Sequence, residues 1–323
     1  MNKRLFNIGL LVGGLGLAGL AAAQGSAYPS APITVVVPFA AGSGTDAVAR
    51  VVMQKLSEEV GQPVLVDNRP GASAQIAAQF VVKAKPDGYT LFMTTNTSHS
   101  ANPSLFKVLK YDPIKDFTPI ARTGELPFVL TVNNDLPVHN VQELIDYAKA
   151  HPGKLSYATP NSTSQVASET IKRIAGIDVL GIPYKSSPQS MTDLIGGQVQ
   201  MYVVDLGSGM GMIKTGKVRP IGVTTAQPLK DFPGVAPIAG TVKGFDLTSW
   251  NGVFGPAGLP PEIVKRINDG LQIALADPEV QARLDQLGFQ VWPSRSPQEF
   301  ADYVAQQLAH WTALIKAAGI EPQ

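Results

Sequence analysis

The sequence predicts an α/β protein of two domains, each a mostly parallel sheet covered by helices. Three observations carry this. Short apolar β-branched runs alternate with stretches of helical periodicity along the chain, which implies parallel strands buried on both faces. A strand, a bare polar turn and a helix start occur once in each half, at residues 33–47 and 155–167. Roughly 300 residues beyond an N-terminal leader are enough for two domains of ordinary size.

Lys3 and Arg4 precede an uncharged run from Leu5 to Ala23 that ends in Ala21-Ala22-Ala23, the small-residue site read by a signal peptidase. Residues 1–23 are therefore expected to be a signal peptide cleaved near Ala23, giving an exported, periplasmic protein. The 323 residues include no cysteine, which closes the lipoprotein route and excludes disulfides, thiolate metal sites and cysteine nucleophiles. With a net charge of +1 and 16% charged residues, there is no basic stripe for nucleic acid or a membrane surface. The four histidines are scattered and show no metal spacing, and no Gly-x-Ser-x-Gly elbow is present.

Ile33 to Val37 reads as the first strand, and Val48, Val51, Val52 and Leu56 mark one apolar face of the helix that follows. Between them, Phe39-Ala40-Ala41-Gly42-Ser43-Gly44-Thr45-Asp46 is small and rich in glycine and hydroxyls. Its backbone N–H groups stand at a helix N-terminus, where unpaired donors and the macrodipole favour an anion. Two other readings stay open at this point. Ser43 or Thr45 simply caps the helix with Asp46 in its first turn, or Gly42-x-Gly44-x-x-Ala47 is a dinucleotide fingerprint, with Asp67 about twenty residues on as the ribose acid.

Pro63–Asn68 reads as a second strand, residues 74–84 as a helix, and Tyr89–Met93 as a third strand running into the polar loop Thr94–Ser100, with Thr95, Asn96 and Ser98 as candidate contacts. Two extended runs, Thr118–Ala121 and Phe128–Val132, mark the crossing into the second domain. There, helix Val141–His151 and strand Lys154–Ala158 lead to Thr159-Pro160-Asn161-Ser162-Thr163-Ser164-Gln165, where Ser162-x-x-Gln165 spells a capping box. Strands at Val179–Tyr184, Val199–Asp205 and Arg219–Thr225 surround helix Pro188–Gly196, and Gly207-Ser208-Gly209 reads as a turn. Asp205 falls at a carboxyl strand end, where open α/β sheets place ligands, or else caps a helix. Strand Trp250–Gly255 and helices at 261–276, 278–287 and 297–318 close the chain, with Trp292 and Trp311 as core residues. The expected domains are 28–126 with 226–323, and 127–225.

The order of motifs resembles the Bug (Bordetella uptake gene) extracytoplasmic solute receptors, the substrate-binding components of tripartite tricarboxylate transporters. The resemblance rests on Ile33–Gly42, Asp67–Ala72, Pro86–Leu91, Asn102–Phe106, Tyr111–Phe117, Pro183–Lys185, Asp193–Gln200, Trp250–Gly258 and Ala276–Val280. It implies a Venus-flytrap fold of the type II-like periplasmic binding proteins, a monomer without catalysis or cofactor. A small carboxylate, an aliphatic or aromatic dicarboxylate, would be held in the interdomain cleft and delivered to membrane subunits. In the family, one carboxylate is held by the loop after the first strand and the facing loop of the second domain, partly through waters. Carried onto this chain, these are Phe39, Ala40, Ala41, Gly42, Ser43, Thr45 and Asp46, facing Thr159, Asn161, Ser162, Thr163 and Ser164; Thr95, Asn96, Ser98 and Asp205 are further candidates. The family's usual Gly-Asn-Gly-type second loop is here shorter and carries Pro160. An exported nicotinamide-dependent oxidoreductase is the enzyme alternative, opposed by the leader; a receptor used for sensing without transport is another.

Overall fold

The computed structural model describes residues 28–245 and 247–323; the expected leader, 1–23, lies outside the described residues. The chain begins with β1 (Ile33–Val37), α1 (Gly44–Val60), β2 (Val64–Asn68), α2 (Gln75–Val82) and β3 (Thr90–Thr95). A π-helical turn, Thr97–Ala101, then α3 (Asn102–Leu105), leads to β4 (Phe117–Glu125). The middle of the chain forms β5 (Phe128–Val132), α4 (Val141–Ala150), β6 (Leu155–Thr159), α5 (Ser162–Ala175), β7 (Val179–Pro183), α6 (Ser187–Ile195), β8 (Met201–Asp205), α7 (Leu206–Lys214) and β9 (Arg219–Val223). It ends with α8 (Ile238–Thr241), β10 (Trp250–Pro256), α9 (Pro261–Ala276), α10 (Pro278–Gln286), β11 (Gln290–Val291) and α11 (Pro297–Ala318).

Two sheets result, one per domain, with strand orders β11-β4-β10-β3-β1-β2 and β7-β6-β8-β5-β9. In the first, β2, β1 and β3 are parallel, and β10 enters antiparallel between β3 and β4. In the second, β7, β6 and β8 are parallel and β5 is antiparallel to both its neighbours. The first sheet thus has two reversed strands, β10 and the short edge strand β11, and the second has one, β5. The chain crosses between sheets from β4 to β5 and returns after β9, so α9, α10 and α11 are connected in sequence to strands of the first sheet.

Helix boundaries follow from local chemistry. Ser43 caps α1, its Oγ accepting from the Asp46 N–H at 3.3 Å, and Gly61 ends the helix at φ 73°, a left-handed geometry that suits glycine. The cap of α5 is Asn161, one residue before the expected capping box: its Oδ1 accepts from the Ser164 N–H at 2.9 Å, which leaves Ser162 free to reach outward. Gly207-Ser208-Gly209 is the first turn of α7 rather than a free turn, because Asp205 caps it through the Ser208 N–H. Trp311 is fully buried, but Trp292 is 46% exposed and is covered on one face by the Arg122 guanidinium, 3.4 Å above its ring.

The polar loop Thr94–Ser100 is buried. Its hydroxyls pair with each other, Thr94 Oγ1 with Ser98 Oγ at 2.7 Å. His99 inserts among aromatic rings, stacked on Phe254 at 3.9 Å and tilted against Phe117 at 4.7 Å. Buried polar groups are usually paired; here Asn96 and Thr97 pair with Thr163 and Ser162 of the other domain, while His99 Nε2 and Ser100 Oγ have no partner among the described residues.

Candidate functional site

The carboxyl ends of β1, β3, β6 and β8 meet at a small cavity of about 20 Å³ between the domains. Phe39, Ser43 and Thr45 line it from the loop after β1, and Asn161 and Thr163 from the loop after β6. Thr95 and Asp205 are the other expected residues on its wall, whereas Asn96, Thr159 and Ser162 do not line it. Among the described residues, no lysine or arginine lines it. Phe39 also borders a second hollow of about 270 Å³, where Thr159, Tyr184 and Lys185 stand.

The domains touch across the cleft at two places, the segment after β3 against the start of α5 and the start of α1 against that of α7. Asn96 Nδ2 donates to Thr163 Oγ1 at 3.0 Å, and Ser162 Oγ donates to Thr97 Oγ1 at 2.8 Å. The Gly44 N–H donates to Ser208 Oγ at 2.9 Å, and that hydroxyl donates in turn to Asp205 Oδ2 at 3.0 Å. A helix start of one domain is thereby tied to a helix start of the other, and the cleft is closed.

Not every N–H of the first loop is free for an anion. Asp46 Oδ2 accepts from the Gly42 N–H at 2.9 Å, while its Oδ1 accepts from Asn68 Nδ2 at 2.9 Å and pairs with the Arg50 guanidinium. Asp46 therefore shapes the loop from behind and does not line the cavity; Ala40, Ala41 and Gly42 lie nearer solvent. Ser98 is held by Thr94 and His99, and Ser164 Oγ donates to the Val203 carbonyl at 2.7 Å, so both brace the walls. The dinucleotide reading fares poorly on the same grounds: the Gly42 and Gly44 N–H groups already have acceptors, and Asp67 is paired with Arg69 at 2.7 Å.

Two carboxyls are shifted in opposite directions. Burial works to raise Asp46, but hydrogen bonds from Arg50, Gly42 and Asn68 outweigh it and hold the group below the ordinary carboxylate range. Burial pushes Asp205 up, against the lowering pull of the Ser208 N–H and hydroxyl. Asp46→Ala is expected to cost about 2–3 kcal/mol, because it strands donors that now bond to a charged acceptor. The contribution is present above the usual carboxylate pKa and is lost as pH falls through the depressed folded value. Urea unfolding at pH 7 and pH 3 tests this: the gap between wild type and variant should narrow in acid, and an equal gap at both would show that Asp46 gains nothing from its ionised form.

Sequence reasoning missed several wall residues, among them Gly44, Ser187, Ser249 and Asn251. Ser249 Oγ donates to Asn96 Oδ1 at 2.7 Å. A signal for the last two existed, since polar residues flank Trp250 at strand spacing in an otherwise apolar run.

Residues 48–320 match the family model described as the tripartite tricarboxylate transporter family receptor. The chain belongs to this family. Solved structures agree with the fold. Rpa4515 of R. palustris, solved with adipate, is 34% identical with a TM-score of 0.89, over 92% of this chain and 100% of that one. The periplasmic binding protein BugD is 33% identical with a TM-score of 0.87, over 92% and 100%. MatC of Rhodopseudomonas palustris, solved with bound malate, is 31% identical with a TM-score of 0.84, over 89% and 100%. The two-domain α/β architecture of this receptor family member is thus the periplasmic binding protein fold. The family and these neighbours are binding proteins, not enzymes. Among the described residues, no helix is long and apolar enough to cross a membrane.

Proposed function

We propose that this family member is an exported, periplasmic receptor that closes on a small dicarboxylate and passes it to the membrane subunits of a tripartite tricarboxylate transporter. The observation that carries the reading is that two helix-start loops, Phe39–Asp46 and Thr159–Gln165, both line one cavity between the domains. A carboxylate would be held there by hydroxyls, amides and helix starts, without a cation. Hydrogen bonds to a charged partner contribute about 1.5–3 kcal/mol each, so a few that converge on closure suffice. Phe39 would cover the apolar middle of the ligand. The adipate and malate bound by Rpa4515 and MatC support this class. The hinge would lie at the two crossings, near Leu126–Phe128 and Val223–Thr225, with domains 28–126 plus 226–323 and 127–225.

A thermal-shift screen of the mature protein against mono-, di- and tricarboxylates tests the proposal. A ligand at about 100 times its Kd adds about 2.7 kcal/mol, which should raise Tm by about 5 °C or more. At least one dicarboxylate is expected to do so, and NAD is expected to do nothing. A shift with NAD and none with any carboxylate would overturn the reading.

A further inference from the structure

Asn251 is fully buried in the cavity wall, on β10 opposite Thr95 of β3. Its backbone carbonyl accepts from Thr123 Oγ1 at 3.1 Å, but neither side-chain amide atom has a hydrogen-bond partner among the described residues. Of the buried side-chain groups in that state, Asn251 alone lines the cavity. A buried amide left unpaired is costly, since both its donor and its acceptor have given up water. A group that enters the cavity and both accepts and donates would satisfy it.

Asp205 stands on the same wall. Each of its oxygens accepts once from Ser208, which leaves lone pairs for a further donor. An acidic side chain in a closed cavity repels a second carboxylate brought against it and attracts a hydroxyl or an ammonium. Together the two side chains ask for an oxygen acceptor and a hydrogen-bond donor on one small molecule.

We propose that Asn251, with Asp205, selects carboxylates that carry a hydroxyl or ammonium group over their unsubstituted parents. Asn251 Nδ2 donates to an oxygen of the ligand, while Asn251 Oδ1 and the Asp205 carboxyl accept from the ligand's own donor. An unsubstituted acid leaves the acceptors facing carbon, and a site built around a polar group discriminates strongly against the analogue that lacks it. The inference rests on the carboxylate-receptor reading above and narrows it to one class of ligand.

Isothermal titration with length-matched sets provides the test: succinate with malate and aspartate, glutarate with 2-hydroxyglutarate and glutamate, adipate with 2-aminoadipate. In the best-bound set, the substituted acid is expected to bind at least about tenfold more tightly than its parent. Asn251→Leu should collapse that ratio to within about threefold. Should the leucine variant fail to fold, Asn251→Ser removes the amide without adding apolar bulk, and the same collapse is expected. Asp205→Asn keeps a capping side chain and should lower ammonium-bearing ligands more than hydroxyl-bearing ones. If parents bind as tightly as substituted acids, or if folded Asn251 variants keep the wild-type ratio, the selection is overturned while the carboxylate reading stands. If no acid in any set binds wild type, both fall.

Discussion

Replacing Gly44 by valine is expected to abolish carboxylate binding while leaving both domains folded. Gly44 is the first residue of α1, and a Cβ there would lie 2.0 Å from Asp205 Oδ1 and 2.7 Å from Leu126 Cδ2. Across the cleft, a Cβ on Gly207 would lie 2.5 Å from the Gly44 Cα. Two glycines thus face one another where the helix starts of the two domains meet, and neither has room for a side chain. Gly44 has no positive φ, so its own backbone accepts valine; what valine prevents is closure. A hinged receptor relieves the clash by opening, and the contacts that converge on the ligand are lost together. A loss of at least about 100-fold in affinity, or about 2.8 kcal/mol, is expected, with an apo melting temperature within a few degrees of wild type. Gly42→Val is the matched control. That glycine adopts φ 80° and its N–H is bonded to Asp46, and an added Cβ would come within only 3.6 Å of Pro188. It should strain the loop without wedging the cleft. Titration of both variants against the tightest carboxylate decides the matter, and a Gly44→Val protein that binds like wild type would show that the two helix starts do not meet in the liganded state.

The parallel halves of both sheets were legible in the sequence because each strand and its helix carry their own periodicity. The place of the reversed strand β10 had no local signal: its partners β3 and β4 lie more than a hundred residues earlier, and pairing at that distance leaves no mark on the strand itself. Helix α7 was hidden by Gly207-Ser208-Gly209, which spells a turn. The glycine at 207 serves the close approach to Gly44, and the Asp205 cap starts the helix in spite of it. The two facing loops were legible as helix starts, but which of their N–H groups remain free was not. Gly42 gives its proton to Asp46 four residues on, and Gly44 gives its own to Ser208 from the other half of the chain. That the Asn251 amide has no partner was out of reach for the same reason, since that is a property of the folded wall and not of the residue type.

The second large effect lies in acid. His99 is enclosed by Phe92, Phe117, Trp250 and Phe254, and its Nδ1 meets Ser98 Oγ at 2.9 Å. Burial drops its pKa to about 3, whereas an unfolded histidine titrates near 6.5. Between those values the unfolded chain binds a proton that the folded chain does not, so stability falls as pH falls, by about 1.4 kcal/mol per unit in the middle of the window. His99→Phe keeps an aromatic ring in the box and removes the titration. The variant should be less stable than wild type at pH 7, by about 1 kcal/mol for the lost Ser98 bond, and more stable at pH 4. Urea unfolding at pH 7, 6, 5 and 4 reads the crossing directly, and the difference between the two proteins cancels the carboxylates that titrate in both. The consequence reaches the site, because the π-helical turn that holds His99 also carries Thr97, on the cavity wall, and follows directly on Thr95 and Asn96. Acid that unfolds the chain through His99 also opens this turn, so carboxylate binding should be lost at a higher pH in wild type than in His99→Phe. Parallel stability curves for the two proteins from pH 7 to 4 would mean that His99 takes up its proton over the same range in the folded and unfolded chains.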